Sequence, residues 1–219
     1  MRTLLLSLVL LLCGVHVGAA DRLFVRPWIE LEPLVRIDPA RYPLPVDVAE
    51  KDLLDIGRVL VSGMIYGWTF TYTPSDKARQ VSETFILAPV AQVAWGNPRL
   101  RVTETEVSET RLWARIAYAL DDEEALRRSA WDSNSALLST GRGSVSVMAG
   151  PAGREASLQA AIRDAIRRSL DTRWVNKPRQ IDGAVVLWED PVTVVRSGTY
   201  TTTAKIKLIV RELVPYRIF

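Results

Sequence analysis

The one cysteine of the chain, Cys13, sits inside a leucine-rich N-terminal run that reads as a removable leader. Whatever folds downstream of that run has no disulfide to hold it and must be held by packing alone. The one histidine, His16, lies in the same run. Without imidazole or thiol, the downstream residues cannot build a Ser-His-Asp triad, a cysteine nucleophile or a zinc site with His or Cys ligands. Carboxylate, lysine, tyrosine and hydroxyl chemistry remain.

Residues 1–20 carry one charge at Arg2, an apolar run from Leu4 to Leu12, and small residues Gly18, Ala19 and Ala20 ahead of Asp21. This is the pattern of a secretory signal peptide cleaved near Ala20, which predicts a periplasmic or secreted protein. An uncleaved anchor and lipidation at Cys13 stay open as alternatives; the apolar core is short for a bilayer that needs about 20 residues. Removing the leader takes away only Arg2 among the charges, so a formal charge of +3 becomes +2. Such a balance argues against a nucleic-acid partner, because phosphate binding depends on clustered Lys and Arg.

Between residues 21 and 46 the prolines Pro27, Pro33, Pro39, Pro43 and Pro45 forbid a continuous helix. The expectation is a proline-rich extended arm whose apolar residues, among them Phe24, Trp28 and Ile29, lie against the rest of the chain or a partner. From 47 to 219 a single α+β domain is expected. Asp47 and Glu50 have the spacing of a capping box, and Ala49, Leu53, Ile56 and Leu60 share one helical face that Gly63 should end. Alternation then predicts a strand from Met64 to Tyr72, with Tyr66, Trp68 and Phe70 on its aromatic face, and a second from Val81 to Val90. Strands over 99–107 and 110–120 follow, the latter with Leu112, Ala114, Ile116, Tyr118 and Leu120 on one side. Asp121, Asp122, Glu123 and Glu124 open a helix, where negative charge suits the free amides of a first turn.

Residues 139–153 contain four glycines and a proline, which predicts a loop and a point of subdivision. Leu158, Ile162, Ala165, Ile166 and Leu170 mark another amphipathic helix, followed by a strand at 184–188, Pro191, a turn at Ser197 and Gly198, and a return strand carrying Tyr200 to Val210. The sum is mostly antiparallel sheet built from hairpins, with about three amphipathic helices packed on it. Gly63 to Trp68 and Gly183 to Trp188 have equal spacing, a faint sign of duplication between the first and last helix-hairpin units. A small membrane barrel is excluded by the helices and by Arg217 and Pro215 near the C-terminus.

The strongest electrostatic feature is a basic excess between 141 and 180, with Arg142, Arg154, Arg163, Arg167, Arg168 and Arg173 as candidate binding residues for an anionic surface. The bland reading of these is the solvated face of a helix. Carboxylate catalysis needs two acids about 5 to 10 Å apart, and Glu83, Glu104, Glu106, Glu109 and Glu189 are available, with nothing to mark a pair. No cofactor or metal site is expected. The reading is an exported, non-catalytic, envelope-associated protein that binds another envelope protein or a cell-wall polymer, with no transmembrane span after cleavage and peripheral membrane contact left open. A carboxylate-dependent hydrolase of envelope polysaccharide and a small-ligand carrier are the alternatives; a carrier requires a sizeable enclosed apolar pocket.

Overall fold

The computed structural model describes residues 21–33, 38–133, 135–171 and 177–216, so the predicted leader with Cys13 and His16 lies outside the described residues. The fold is α+β, with two antiparallel sheets and three α-helices among those residues.

In the first sheet, β6 (Arg111–Ala119) is central. On one side it pairs with β5 (Leu100–Ser108); on the other, β1 (Arg22–Val25) and β2 (Trp28–Glu30) share its length. The described part of the proline-rich segment therefore supplies two strands to its own domain. Pro27 separates them, since proline cannot donate to a ladder, and the Pro27 carbonyl accepts from Ala114 N–H. Every other residue of β6 from Leu112 to Tyr118 is buried, as alternation requires.

The larger sheet runs β4 (Thr84–Pro89), β3 (Trp68–Thr73), β8 (Gln180–Leu187), β10 (Thr199–Val214), β7 (Leu137–Ser146). The short β9 (Val192–Arg196) takes the place of β8 alongside the first residues of β10. Ser197 and Gly198, both at positive φ, make the tight β9–β10 turn. Tyr200, Thr202, Ala204, Ile206 and Leu208 form the buried face of β10, matching the alternation in the sequence.

α1 (Val46–Ile65) packs on both β6 and β8 and so joins the two sheets. The expected capping box does not form: Pro45 occupies the cap position and no side chain caps the amides. Proline is adequate there because it presets φ for the first turn and removes one orphan donor from the count. Nor does Gly63 end the helix, which continues to Ile65. Its hydrogen atom leaves room for Trp68: a Cβ on Gly63 would lie 2.4 Å from that indole. The chain turns instead at Gly67, φ +64, so the strand begins at Trp68 and Met64 and Ile65 belong to the helix. Because Gly63 is helical and Gly183 lies within β8, the two Gly-to-Trp pairs occupy different places in the fold.

The segment 139–153 is not a loop. β7 pairs with β10 from Leu137 to Ser146, a 3₁₀ turn follows, and α3 (Pro151–Asp171) starts with proline in its first turn. Gly141 and Gly143 are there for close approach. A Cβ on Gly141 would sit 2.2 Å from the Ala161 carbonyl oxygen, and one on Gly143 would sit 2.3 Å from that of Ser157. Glycine in the strand thus lets α3 lie directly on the backbone of β7. Ser157, Ala161, Ile162 and Ala165 complete the seam.

α2 (Asp122–Ser129) opens on the acidic cluster, and here the capping box is complete: Asp121 accepts from Glu124 N–H at 2.9 Å and Glu124 accepts from Asp121 N–H at 3.1 Å. Glu124 is buried and also accepts from Tyr66 Oη (2.7 Å), Tyr118 Oη (2.8 Å) and Arg99 (2.7 Å). Burial by itself would raise its pKa; these donors outweigh burial and hold the carboxyl below its usual range. Burial, with the same carboxylate adding to it, pushes Tyr66 up to about 12.

Candidate functional site

Where the two sheets meet α1 and the start of α3, packing leaves a cavity of about 600 Å³. Its walls come from β2 with Pro27, the α1 stretch from Asp52 to Leu60, the first two turns of α3, and β9 with the Asp190–Pro191 step that precedes it, completed by Arg41, Tyr42, Trp113 and Tyr200. Ile29, Ile56, Val59, Leu60, Leu158 and Val194 make the lining largely apolar. This is the size and character of a small-molecule site.

Trp28 anchors one wall. It is buried, its Nε1 donates to the Thr193 carbonyl at 2.9 Å, and its ring is tilted against Trp113 with centroids 5.9 Å apart. The hydrogen bond ties β2 to β9 across the cavity floor, so both sheets fix the wall. Two guanidiniums lie over the Trp28 ring, Arg154 at 4.0 Å and Arg111 at 4.3 Å from its centroid. Arg154 comes from the first turn of α3, donates to the Trp28 carbonyl and lies 5.6 Å from the Tyr200 ring centroid. It has no carboxylate in ion-pair contact among the described residues. Burial brings its pKa down to about 10, with Tyr200 and Glu30 opposing the fall.

Asp190 lies on the opposite chemical footing. Its Oδ2 accepts from Arg26 N–H at 2.7 Å, and its Oδ1 is shut off from solvent with no hydrogen-bond partner. Burial pushes the carboxyl up to about 6, and the single amide donor only partly offsets this. Leaving a buried acceptor unmatched costs about 1 to 3 kcal/mol, more for a charged one, so the packing around Asp190 is not what stability alone would select. Arg41, whose Nε is likewise buried and unpartnered, is paired through its terminal nitrogen with Asp52.

The arginines singled out in the sequence disperse. Arg154 turns into the cavity. Arg167 makes two hydrogen bonds to the Glu83 carboxylate, at 2.5 and 3.0 Å, and Arg168 pairs with Asp164 at 2.9 Å. Arg163 lies over Phe85, and Arg142 is exposed on β7. Arg173 lies outside the described residues. The carboxylates considered for catalysis are spread as well: Glu104 faces Arg115, Glu106 meets Arg26, Glu189 binds Lys205, and Glu109 occupies a turn at positive φ. None of them lines the cavity. Reasoning from sequence missed Asp190 because its neighbours are ordinary; its distinction is a lack of partners that only the assembled walls create.

A protein-family model matches residues 13–216. The chain belongs to that family. It is similar to an uncharacterized protein of Treponema pallidum (strain Nichols), 23% identical over 192 residues that span 88% of this chain and 81% of the relative. No solved structure matches. Among the described residues, no helix is long and apolar enough to cross a membrane, and no group of His, Cys, Asp and Glu is placed to hold a metal ion.

Proposed function

We propose that this is an exported, non-catalytic binding protein of the cell envelope that holds a small amphipathic ligand, free or as part of a cell-wall component, in the cavity between its sheets. The observation that supports the reading most is the cavity itself, about 600 Å³ with mostly apolar walls. Export rests on the pattern of residues 1–20. The test is a titration of the protein beginning at Asp21 with N-phenyl-1-naphthylamine, an uncharged probe whose fluorescence rises on entering an apolar site. Saturable one-to-one binding is expected, and Ile56→Trp, which fills the cavity from α1, is expected to weaken it at least tenfold. Absence of saturable binding, or binding indifferent to that substitution, refutes the reading.

A second reading has one observation in its favour. An acid with a pKa of about 6 beside aromatic side chains is suited to protonate a leaving group, as a polysaccharide hydrolase requires. It predicts release of reducing ends from envelope polysaccharide by the purified protein, lost in Asp190→Asn; no release, or release unchanged in that variant, excludes it.

A further inference from the structure

Arg154 stands where a cation is disfavoured on three counts. It lies in the first turn of α3, the end of a helix that repels positive charge. Its surroundings withdraw it from water far enough to lower its pKa to about 10. No carboxylate among the described residues is in ion-pair contact with it, although a charge in such a setting is ordinarily paired. Arg111 lies over the same Trp28 ring at 4.3 Å and adds a second positive charge, also without an ion pair among the described residues. Against the two stands Glu30, the cross-strand partner of Arg111, which accepts from Tyr200 Oη at 3.5 Å. The other acids of the lining are engaged elsewhere: Asp52 with Arg41, Asp55 with Arg58 at 2.8 Å, Glu155 with Gln159 at 3.3 Å, and Asp190 with Arg26 N–H.

Only Nη1 of the Arg154 guanidinium is used, donating to the Trp28 carbonyl. Its Nε and Nη2 have no partner among the described residues, and unlike Asp190 Oδ1 and Arg41 Nε they are not shut off from solvent. These two nitrogens form one edge of the guanidinium, a pair of parallel donors that matches a carboxylate or a phosphate. Beyond that edge the walls turn apolar along one direction. Leu158 is four residues further on and so shares a face of α3 with Arg154. A smaller cavity of about 110 Å³ has Val59, Glu155 and Leu158 in common with the large one and extends it between α1 and α3 to Gly63, Trp68 and Leu87. We propose that Arg154 holds the anionic head group of a single-chain amphiphile, a carboxylate or phosphate, across Nε and Nη2, with the apolar chain lying along Leu158 and Val59 toward Trp68. This rests on the cavity being a binding site at all.

The experiment is displacement of N-phenyl-1-naphthylamine at neutral pH by four probes of equal chain length, decanoate, decyl phosphate, decanol and decylammonium, from the native protein and from Arg154→Gln. The better of the two anions is expected to displace the dye at least tenfold more effectively than decylammonium, and which anion that is names the head group. Arg154→Gln is expected to weaken that anion at least tenfold while leaving decanol within about twofold. Decylammonium equal to or better than both anions overturns the proposal, and this ranking needs no variant. An anion affinity unchanged by Arg154→Gln overturns it as well; in both cases the dye still binds, so the cavity reading stands. Failure of the dye to bind the native protein overturns both. Retention of dye binding by Arg154→Gln shows that the variant is folded, and Arg154→Lys, which keeps the charge but not the two-donor edge, is expected to recover part of the preference for the anion.

Discussion

Asp190→Asn should make the protein more stable, and the gain should depend on pH. The native carboxyl is pushed from an ordinary value of 3.8 up to about 6 because its surroundings do not solvate the charge. Between those two values the folded protein holds a proton that the unfolded chain has released, so stability falls as pH rises through the interval. A displacement of roughly 2 units, at about 1.4 kcal/mol each, places the full loss near 3 kcal/mol above pH ~6.5 and near zero below pH ~3.5. Asparagine has the same shape, keeps an oxygen for Arg26 N–H and carries no charge. The variant should therefore melt about 6 to 12 °C above the native protein at pH 8, and the two should converge as pH approaches 4, in a chain of this size. Differential scanning calorimetry of both proteins from pH 4 to pH 8 measures this directly, because other titrating groups are common to the pair and cancel. A stability difference that does not change with pH, or a variant less stable at pH 8, refutes the argument from desolvation. Such a gain also bears on function: a side chain that makes its own fold less stable persists where it has another task.

Glu124 should behave in the opposite sense. Its carboxyl is held below the ordinary value of 4.5, so its contribution is present above that pH and is lost as pH falls through the lower folded value; Glu124→Ala, which strands Tyr66, Tyr118 and Arg99, should cost about 3 to 5 kcal/mol in a urea titration at pH 7. Gly141→Ala and Gly143→Ala place a methyl group within 2.3 Å of α3 backbone atoms, and each should lower the unfolding free energy by at least about 1 to 3 kcal/mol, with circular dichroism showing whether α3 lifts or the fold fails. Arg168→Ala breaks an exposed pair with Asp164 and should change stability by less than about 1 kcal/mol in the same titration, a control for the buried sites.

Legibility followed the range of the interactions concerned. The faces of β6 and β10 were readable because alternation in a half-buried strand depends on the residue and its immediate neighbours, and Leu112 to Tyr118 and Tyr200 to Leu208 are buried as that pattern requires. The capping box that forms, Asp121 with Glu124, encloses Asp122 and Glu123, acidic residues that favour a first turn on local grounds; Asp47 with Glu50 had the same spacing, yet Pro45 supplied the helix start. Glycines misled for one reason throughout. Gly63, Gly141 and Gly143 have the sequence look of breaks, and each serves instead to admit a neighbour that is distant in sequence or across a turn. The basic segment read as one feature because sequence places its arginines side by side, whereas folding sends Arg154 inward and gives Arg167 to Glu83, 84 residues away.

Sequence alone determined the α+β class, the antiparallel hairpins and the dependence on packing rather than cross-links, since these follow from periodicity, turn residues and the absence of cysteine after residue 13. The cavity and the state of its carboxylate were decided only by tertiary structure. Solvation of a charge depends on every wall around it, and the walls about Asp190 come from β2, α1, α3 and β9, segments separated by up to about 165 residues and brought together only when both sheets close on α1.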